Sequence, residues 1–157
     1  MKLLNPADLW DAFAATLPPD APQRAATFIV DSFGDSPALA DELGALVVQG
    51  VKTATCSAVW EWESRGEALP HVGLFSVVLD GAGQPWCIIE TTEVTIRAFS
   101  EVDAALAYDE GEGDRTLAYW RTAHQRYFGR VLPPIGRTLT DATPLVCERF
   151  RLVYPLP

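Results

Sequence analysis

The sequence predicts an α+β fold, and three observations carry that expectation. The first fifty residues hold apolar stripes at helical spacing, bounded by caps and prolines. From residue 72 onward, strand-like apolar runs and alternation take over. Helical spacing returns once between the strands, over residues 114–128.

The elements follow in order. Asn5 suits a helix cap and Pro6 the first helical position, with Leu9, Trp10, Phe13 and Leu17 on one face until Pro18-Pro19 ends the run. A second helix is expected from Pro22, striped by Ala25, Ala26, Ile29, Val30 and Phe33. Ser36-Pro37 opens a third, with Leu39, Leu43, Leu46 and Val47 inward and Gly50 as a left-handed stop. Together these make an N-terminal helical layer. Residues 51–57 suit an extended stretch, and residues 58–66 one or two helical turns capped by Ser57. Residues 74–79 read as a strand, Asp80-Gly81-Ala82-Gly83 as a hairpin turn, and residues 86–96 as an alternating strand. Glu90 sits on the apolar face of that strand, as a structural ion pair or a ligand contact. A short helix is expected over residues 101–108, then an acidic glycine-rich loop over 109–114. Asp114 would cap the next helix, striped by Leu117, Trp120, His124 and Phe128. His124 there reads first as a core histidine. The last strand covers residues 145–154, with Val146, Glu148, Phe150, Leu152 and Tyr154 on one face and Arg149 and Arg151 on the other.

Against this frame the cations are unevenly chosen. The chain has ten arginines but only two lysines, Lys2 and Lys52. Arg is a fixed planar cation, whereas Lys shifts its pKa readily on burial and can act as base or nucleophile. Lys52 stands in GVKTATCS, among three hydroxyl side chains, between the end of one helix and the start of another. Helix N-termini attract anions, which adds to the case for a site there.

Composition narrows the classes. At 157 residues, 48% hydrophobic and 21% charged, the chain suits one globular domain over 1–157. No apolar run approaches the roughly 20 residues that span a bilayer, and the N-terminus lacks a signal-peptide pattern, so a cytoplasmic location without membrane contact is expected. The net charge of −9 argues against extended DNA or long nucleic acid. Eight of the ten arginines lie at or after Arg97, which leaves room for a local basic patch suited to a short strand or one phosphate. Cys56, Cys87 and Cys147 are widely spaced and odd in number, so neither a zinc site nor a disulfide framework is suggested. They read as small buried side chains, with Cys56 the one thiol near the site.

Several signatures are missing: GxSxG, a phosphate loop, HExxH and a dinucleotide fingerprint. No cofactor or metal is expected. The acidic loop lacks the EF-hand frame. It remains open as a looser divalent site, a solvated turn, or a source of Glu110 or Glu112 to work with Lys52 as base and acid while Thr55 positions a substrate. Thr53, Ser57, Trp60, Glu90 and Arg115 are the candidate ligand contacts around that group.

Three segments in this order, GVKTATCS after a helix, CIIETTEV in a strand and AYDEGEGDRTLAYW before a helix, resemble an ASCH domain. The match is to the branch with an N-terminal helical extension, here residues 1–39, ahead of an ASCH-like barrel over 40–154. The resemblance implies a PUA-like β-barrel with packed helices. It implies binding of RNA or a nucleoside-type small molecule in a cleft lined by GxKxxT. Some branches hydrolyse N4-acylated cytidine nucleosides, and another is described as a ribonuclease. Carried over from the hydrolase branch, the catalytic residues are Lys52, Thr55 and either Glu110 or Glu112. That branch extends the motif to GxKxxTxR, where this chain has Ser57 in place of the Arg, which changes the expected substrate preference. The leading expectation is recognition of RNA or a modified nucleoside. Amide hydrolysis is the enzymatic alternative, and a protein–protein adaptor using Trp60, Trp62 and the acidic N-terminal helices is the third.

Overall fold

A computed structural model describes residues 4–155; Lys2 lies outside them. The first helix, α1 (Pro6–Ala15), starts where its sequence says it must. The Asn5 side chain accepts the Asp8 N–H at 2.9 Å, and the Asp8 carboxylate accepts the Asn5 N–H at 3.1 Å. The expected second helix is not there. Pro22–Ala25 makes one short 3₁₀ turn, and β1 (Phe28–Asp31) follows as a strand. Phe28, Ile29 and Val30 fit a helical stripe and a strand equally well over so short a run. Parallel pairing of Phe28–Asp31 with residues 75–78 decides between them. The next helix, α2 (Pro37–Val48), is capped by Ser36, whose hydroxyl accepts the Leu39 N–H at 3.2 Å.

Beyond it lie β2 (Ala54–Ala58), α3 (Val59–Ser64), β3 (Phe75–Leu79), β4 (Pro85–Ala98), α4 (Ala104–Glu110), α5 (Leu117–Val131) and β5 (Pro144–Tyr154). Three local expectations need correction. Ala58, not Ser57, is the cap of α3, and its N–H is taken by the Glu61 carboxylate at 2.8 Å. Thr116, not Asp114, caps α5, and Asp114 instead accepts the Thr116 N–H at 2.9 Å. Asp109 and Glu110 are the last turn of α4 rather than loop, and Gly111 closes that helix at φ +73°.

The strands form one five-stranded sheet in the order β1-β3-β4-β5-β2, antiparallel except for the β1–β3 pair. No ladder joins β1 to β2 among the described residues, so the sheet is open at both edges. Shifts of register at Ile88/Ile89 and Thr91/Glu93 break the simple alternation expected of β4. Both faces of the sheet are covered. On one, Leu9, Trp10 and Phe13 of α1 pack on Phe75, Val77 and Ile88. On the other, Val47 of α2 packs on Val78, Cys87 and Ile89. Each fully buried Val or Ile contributes about 1.5–3 kcal/mol. The two N-terminal helices thus lie on opposite sides of the sheet and form no separate layer. A third cluster fills the space between α4, α5 and the β2 end of β5, around Leu106, Trp120, Phe128, Leu132 and Leu145. No helix among the described residues is long and apolar enough to cross a membrane.

Candidate functional site

The α2 face of the sheet does not fill completely. A cavity of about 410 Å³ remains between the sheet, α2, α3 and α5. Thr55 and Ser57 of β2, Ser76 and Val78 of β3, Ile89 of β4 and Glu148 of β5 face it from the sheet. Phe33, Leu39, Leu43, Trp62 and Tyr127 add apolar and aromatic wall, and Arg65, Arg126 and Arg130 stand among the lining residues. Concave, mostly apolar spaces with a few polar groups are where small ligands bind.

Lys52 is set into this wall by backbone constraints on both sides. Its N–H and that of Val51 both reach the Leu46 carbonyl at the end of α2, at 3.1 and 3.0 Å. The next residue, Thr53, bonds through its N–H to the Asp109 carbonyl at 2.8 Å and through its hydroxyl to the same atom at 3.3 Å. The segment is therefore clamped between α2 and α4. Gly111 permits the close approach, since a Cβ there would lie 2.7 Å from the Val51 carbonyl oxygen.

The Lys52 side chain is 2% exposed. Nζ donates to the Ala54 carbonyl at 2.9 Å and the Glu110 carbonyl at 3.4 Å. It lies 3.9 Å from Glu110 Oε1 and 3.7 Å from Glu112 Oε2. Both carboxylates raised by the sequence therefore meet the lysine, in different roles. Glu110 is the buried anchor: its Oε2 accepts the Trp120 indole N–H and sits 3.0 Å from His124 Nε2. Glu112 is partly open.

Electrostatics divides them further. Burial would raise the Glu110 pKa, but the charges of His124 and Lys52 overcome it and hold the carboxyl well below its usual range. Burial would lower His124, but the Glu110 charge and hydrogen bond raise it instead. Its Nδ1 lies 2.8 Å from the Trp120 carbonyl, which can only accept, so Nδ1 carries a proton and Nε2 is the nitrogen that faces the carboxylate. For Glu112, burial outweighs the attraction of Lys52, and the Glu110 charge pushes the same way, so its pKa is raised. The cluster is a buried Lys52–Glu110–His124 chain with Glu112 as its more easily protonated member. Removing one partner from such a group typically costs about 3–5 kcal/mol.

The remaining candidates separate cleanly. Thr55 and Ser57 line the cavity, and the Ser57 hydroxyl accepts the Trp62 indole N–H at 2.8 Å. Thr53, Trp60, Glu90 and Arg115 do not line it. Thr53 is the tether just described. Trp60 packs on the core under Arg137, whose guanidinium is 4.6 Å from the ring. Glu90 is the structural ion pair, accepting Arg151 Nε at 2.9 Å. Arg115, at φ +65°, stacks 3.6 Å from the Tyr108 ring and donates to the Tyr108 carbonyl. The cavity tryptophan is Trp62 rather than Trp60.

All three cysteines are buried. Burial, then the hydrogen bond to Cys147 at 3.5 Å, pushes the Cys56 thiol up, away from the thiolate a nucleophile needs. The divalent site considered for the acidic loop becomes Glu110, Glu112 and His124, whose ligand atoms lie within 4.8 Å of one another.

One cavity group is not among the residues the sequence singles out. Glu148 occupies an otherwise apolar face of its strand, the same signal that drew attention to Glu90. His124 is more than a core histidine: its helical stripe shows burial but not the Glu110 carboxylate it meets.

The family match settles what kind of domain presents this cavity: the ASCH domain family covers residues 29–154. The chain belongs to the ASCH domain family. Two solved structures agree with that assignment. An ASCH domain from Lactobacillus crispatus JV V101 is 31% identical, with 95% of this chain and 94% of that one covered at a TM-score of 0.88. Protein EF3133 from Enterococcus faecalis V583, of family-model DUF984, is 34% identical, with 93% and 88% covered at a TM-score of 0.80. No curated protein matches the chain. Lys52, Thr55, Glu110 and Glu112 of this ASCH domain all line one cavity.

Proposed function

We propose that this ASCH domain binds a nucleoside-sized ligand, either a modified nucleoside or an unstacked nucleotide of a short RNA, in the cavity beside Lys52. The carrying observation is the cavity itself: about 410 Å³, walled by Phe33, Trp62 and Tyr127, with Lys52, Thr55 and Glu112 also lining it. That volume falls in the usual range of roughly 300–1,000 Å³ for small-molecule sites. Aromatic wall supplies a surface for a base, and the arginines Arg65, Arg126 and Arg130 offer a few cations for a phosphate. In this reading the chain is one domain, and its sheet is the wall of a PUA-like barrel whose mouth is the cavity. Equilibrium titration with the common nucleosides and a short oligonucleotide tests it. Saturable binding that the Thr55→Val variant weakens is the expected result; no binding of any of them overturns the reading.

Hydrolysis of an amide-bearing nucleoside is the second reading, and one observation favours it. The Thr55 hydroxyl shares the cavity with Lys52 and with a carboxyl group, Glu112, whose pKa burial raises, which favours a role in proton transfer. A panel of N4-acylcytidines tests this. Turnover by the wild type, lost in Thr55→Val while the fold persists, supports it; nucleoside binding without turnover leaves the recognition reading standing.

A further inference from the structure

Glu148 is a carboxyl group with no counter-ion, more than nine-tenths buried, in the floor of the cavity. Its Oε1 accepts the Thr91 hydroxyl at 3.1 Å, and no other side-chain hydrogen bond or ion pair reaches it among the described residues. Its position is fixed by the sheet. In the β2–β5 ladder Glu148 stands directly opposite Thr55, so the two side chains rise side by side from the cavity floor. The hydrogen bond to Thr91, at the edge of the bulge in β4, holds one oxygen. A buried carboxyl without a partner is costly and is uncommon unless it serves a site.

Resting on the ligand class proposed above, we propose that Glu148 docks the ligand through a two-point hydrogen bond to an edge that presents an N–H beside an acceptor. Such an edge belongs to an amide, a lactam or an amidine, and every common nucleobase has one. Burial raises the Glu148 carboxyl to about 7, with Asp31 pushing the same way and the Thr91 hydrogen bond opposing. The acid form is thus present at neutral pH, and an acid offers one donor and one acceptor side by side. That pair is complementary to the edge described. Thr55, next to it on the floor, would then meet the atoms adjoining that edge. A site built to satisfy hydrogen-bonding groups in this way rejects ligands that lack them far better than an apolar wall could.

The test compares ligands that differ at the N–H alone: uridine against 3-methyluridine, and adenosine against N6,N6-dimethyladenosine. Dissociation constants are measured for the wild type, Glu148→Gln and Glu148→Met, with melting midpoints to confirm that each variant folds. The wild type should bind the unmethylated member of at least one pair tenfold or more tightly. Glu148→Gln should keep that preference, because an amide also sets a donor beside an acceptor. Glu148→Met keeps the length and loses the hydrogen bonds, so it should bring the unmethylated ligand down to the level of its methylated partner. Equal binding of both members by the wild type, or a preference that survives in Glu148→Met, overturns the role of Glu148 alone. Failure of the wild type to bind any nucleoside overturns both this inference and the reading beneath it.

Discussion

At the residue scale, Glu148 and Glu110 show two fates of a buried carboxyl. Glu110 has Lys52, His124 and Trp120 around it, and its charge is held. Glu148 has one hydroxyl, and its charge is not. That difference gives a prediction with a definite sign. The folded-state pKa of Glu148 is raised from its ordinary 4.5 to about 7. As pH rises past 4.5 the unfolded chain ionises first, and the folded state loses stability relative to it. The loss is complete once pH passes about 7. A shift of that size amounts to on the order of 3 kcal/mol. Glu148→Gln keeps an acceptor for Thr91 and removes the titration. Urea unfolding at pH 8 should show the variant more stable than the wild type, and the gap should close near pH 4. Equal stability at pH 8 would mean that Glu148 is solvated or paired in solution. A stabilising change at a residue that docks the ligand is the usual cost of a functional site.

At the scale of elements, the caps of α1 and α2 and the stripe of α5 were legible in the sequence because their physics is local. Asn5-Pro6 and Ser36-Pro37 start helices wherever they stand, and Trp120, His124 and Phe128 mark one buried face by spacing alone. The strand at Phe28–Asp31 was not legible, since four residues carry too little periodicity and its identity comes from a partner nearly fifty residues away. The same limit applies to Glu148, whose neighbours Thr55 and Thr91 arrive from other strands. Lys52 and its two carboxylates were legible through motif and composition, but the ranking of Glu110 against Glu112 was not. That ranking depends on where α4 stops. Gly111 sets the stop at φ +73°, and a Cβ there would meet only backbone, the Val51 carbonyl at 2.7 Å and the Lys52 nitrogen at 3.0 Å. Neither can swing aside as a side chain could. Gly111→Ala should therefore cost at least about 1–3 kcal/mol from the left-handed backbone, with the displaced Lys52 segment adding to it. Chemical denaturation measures the first effect, and weaker nucleoside binding by the folded variant reports the second. An unchanged midpoint would show that α4 and the Lys52 segment are not pressed together as described.

At the scale of the whole molecule, a net charge of −9 surrounds a cavity with three arginines among its lining residues. Two of the three are already engaged. Arg130 holds Asp35 at 2.8 Å, and Arg65 holds Glu67 at 3.1 Å. Arg149 and Arg151 of β5 are spent on Glu93, Asp109 and Glu90. Four of the eight arginines from Arg97 onward, Arg97, Arg130, Arg149 and Arg151, thus make ion pairs within the protein, which with the net charge of −9 leaves few free cations for a polynucleotide backbone. Each phosphate contact adds about 0.7 to the log–log salt slope for a single strand. Titrating a short single-stranded RNA between about 50 and 200 mM salt should therefore give a shallow slope, on the order of one or two contacts. Nucleoside affinity should hardly change over the same range, since it needs no phosphate. A slope that requires six or more contacts would mean that the acidic surface is bypassed by a basic groove, and the ligand would then be a long strand rather than one nucleotide. A shallow slope with affinity unchanged by chain length would place the recognised unit inside the cavity.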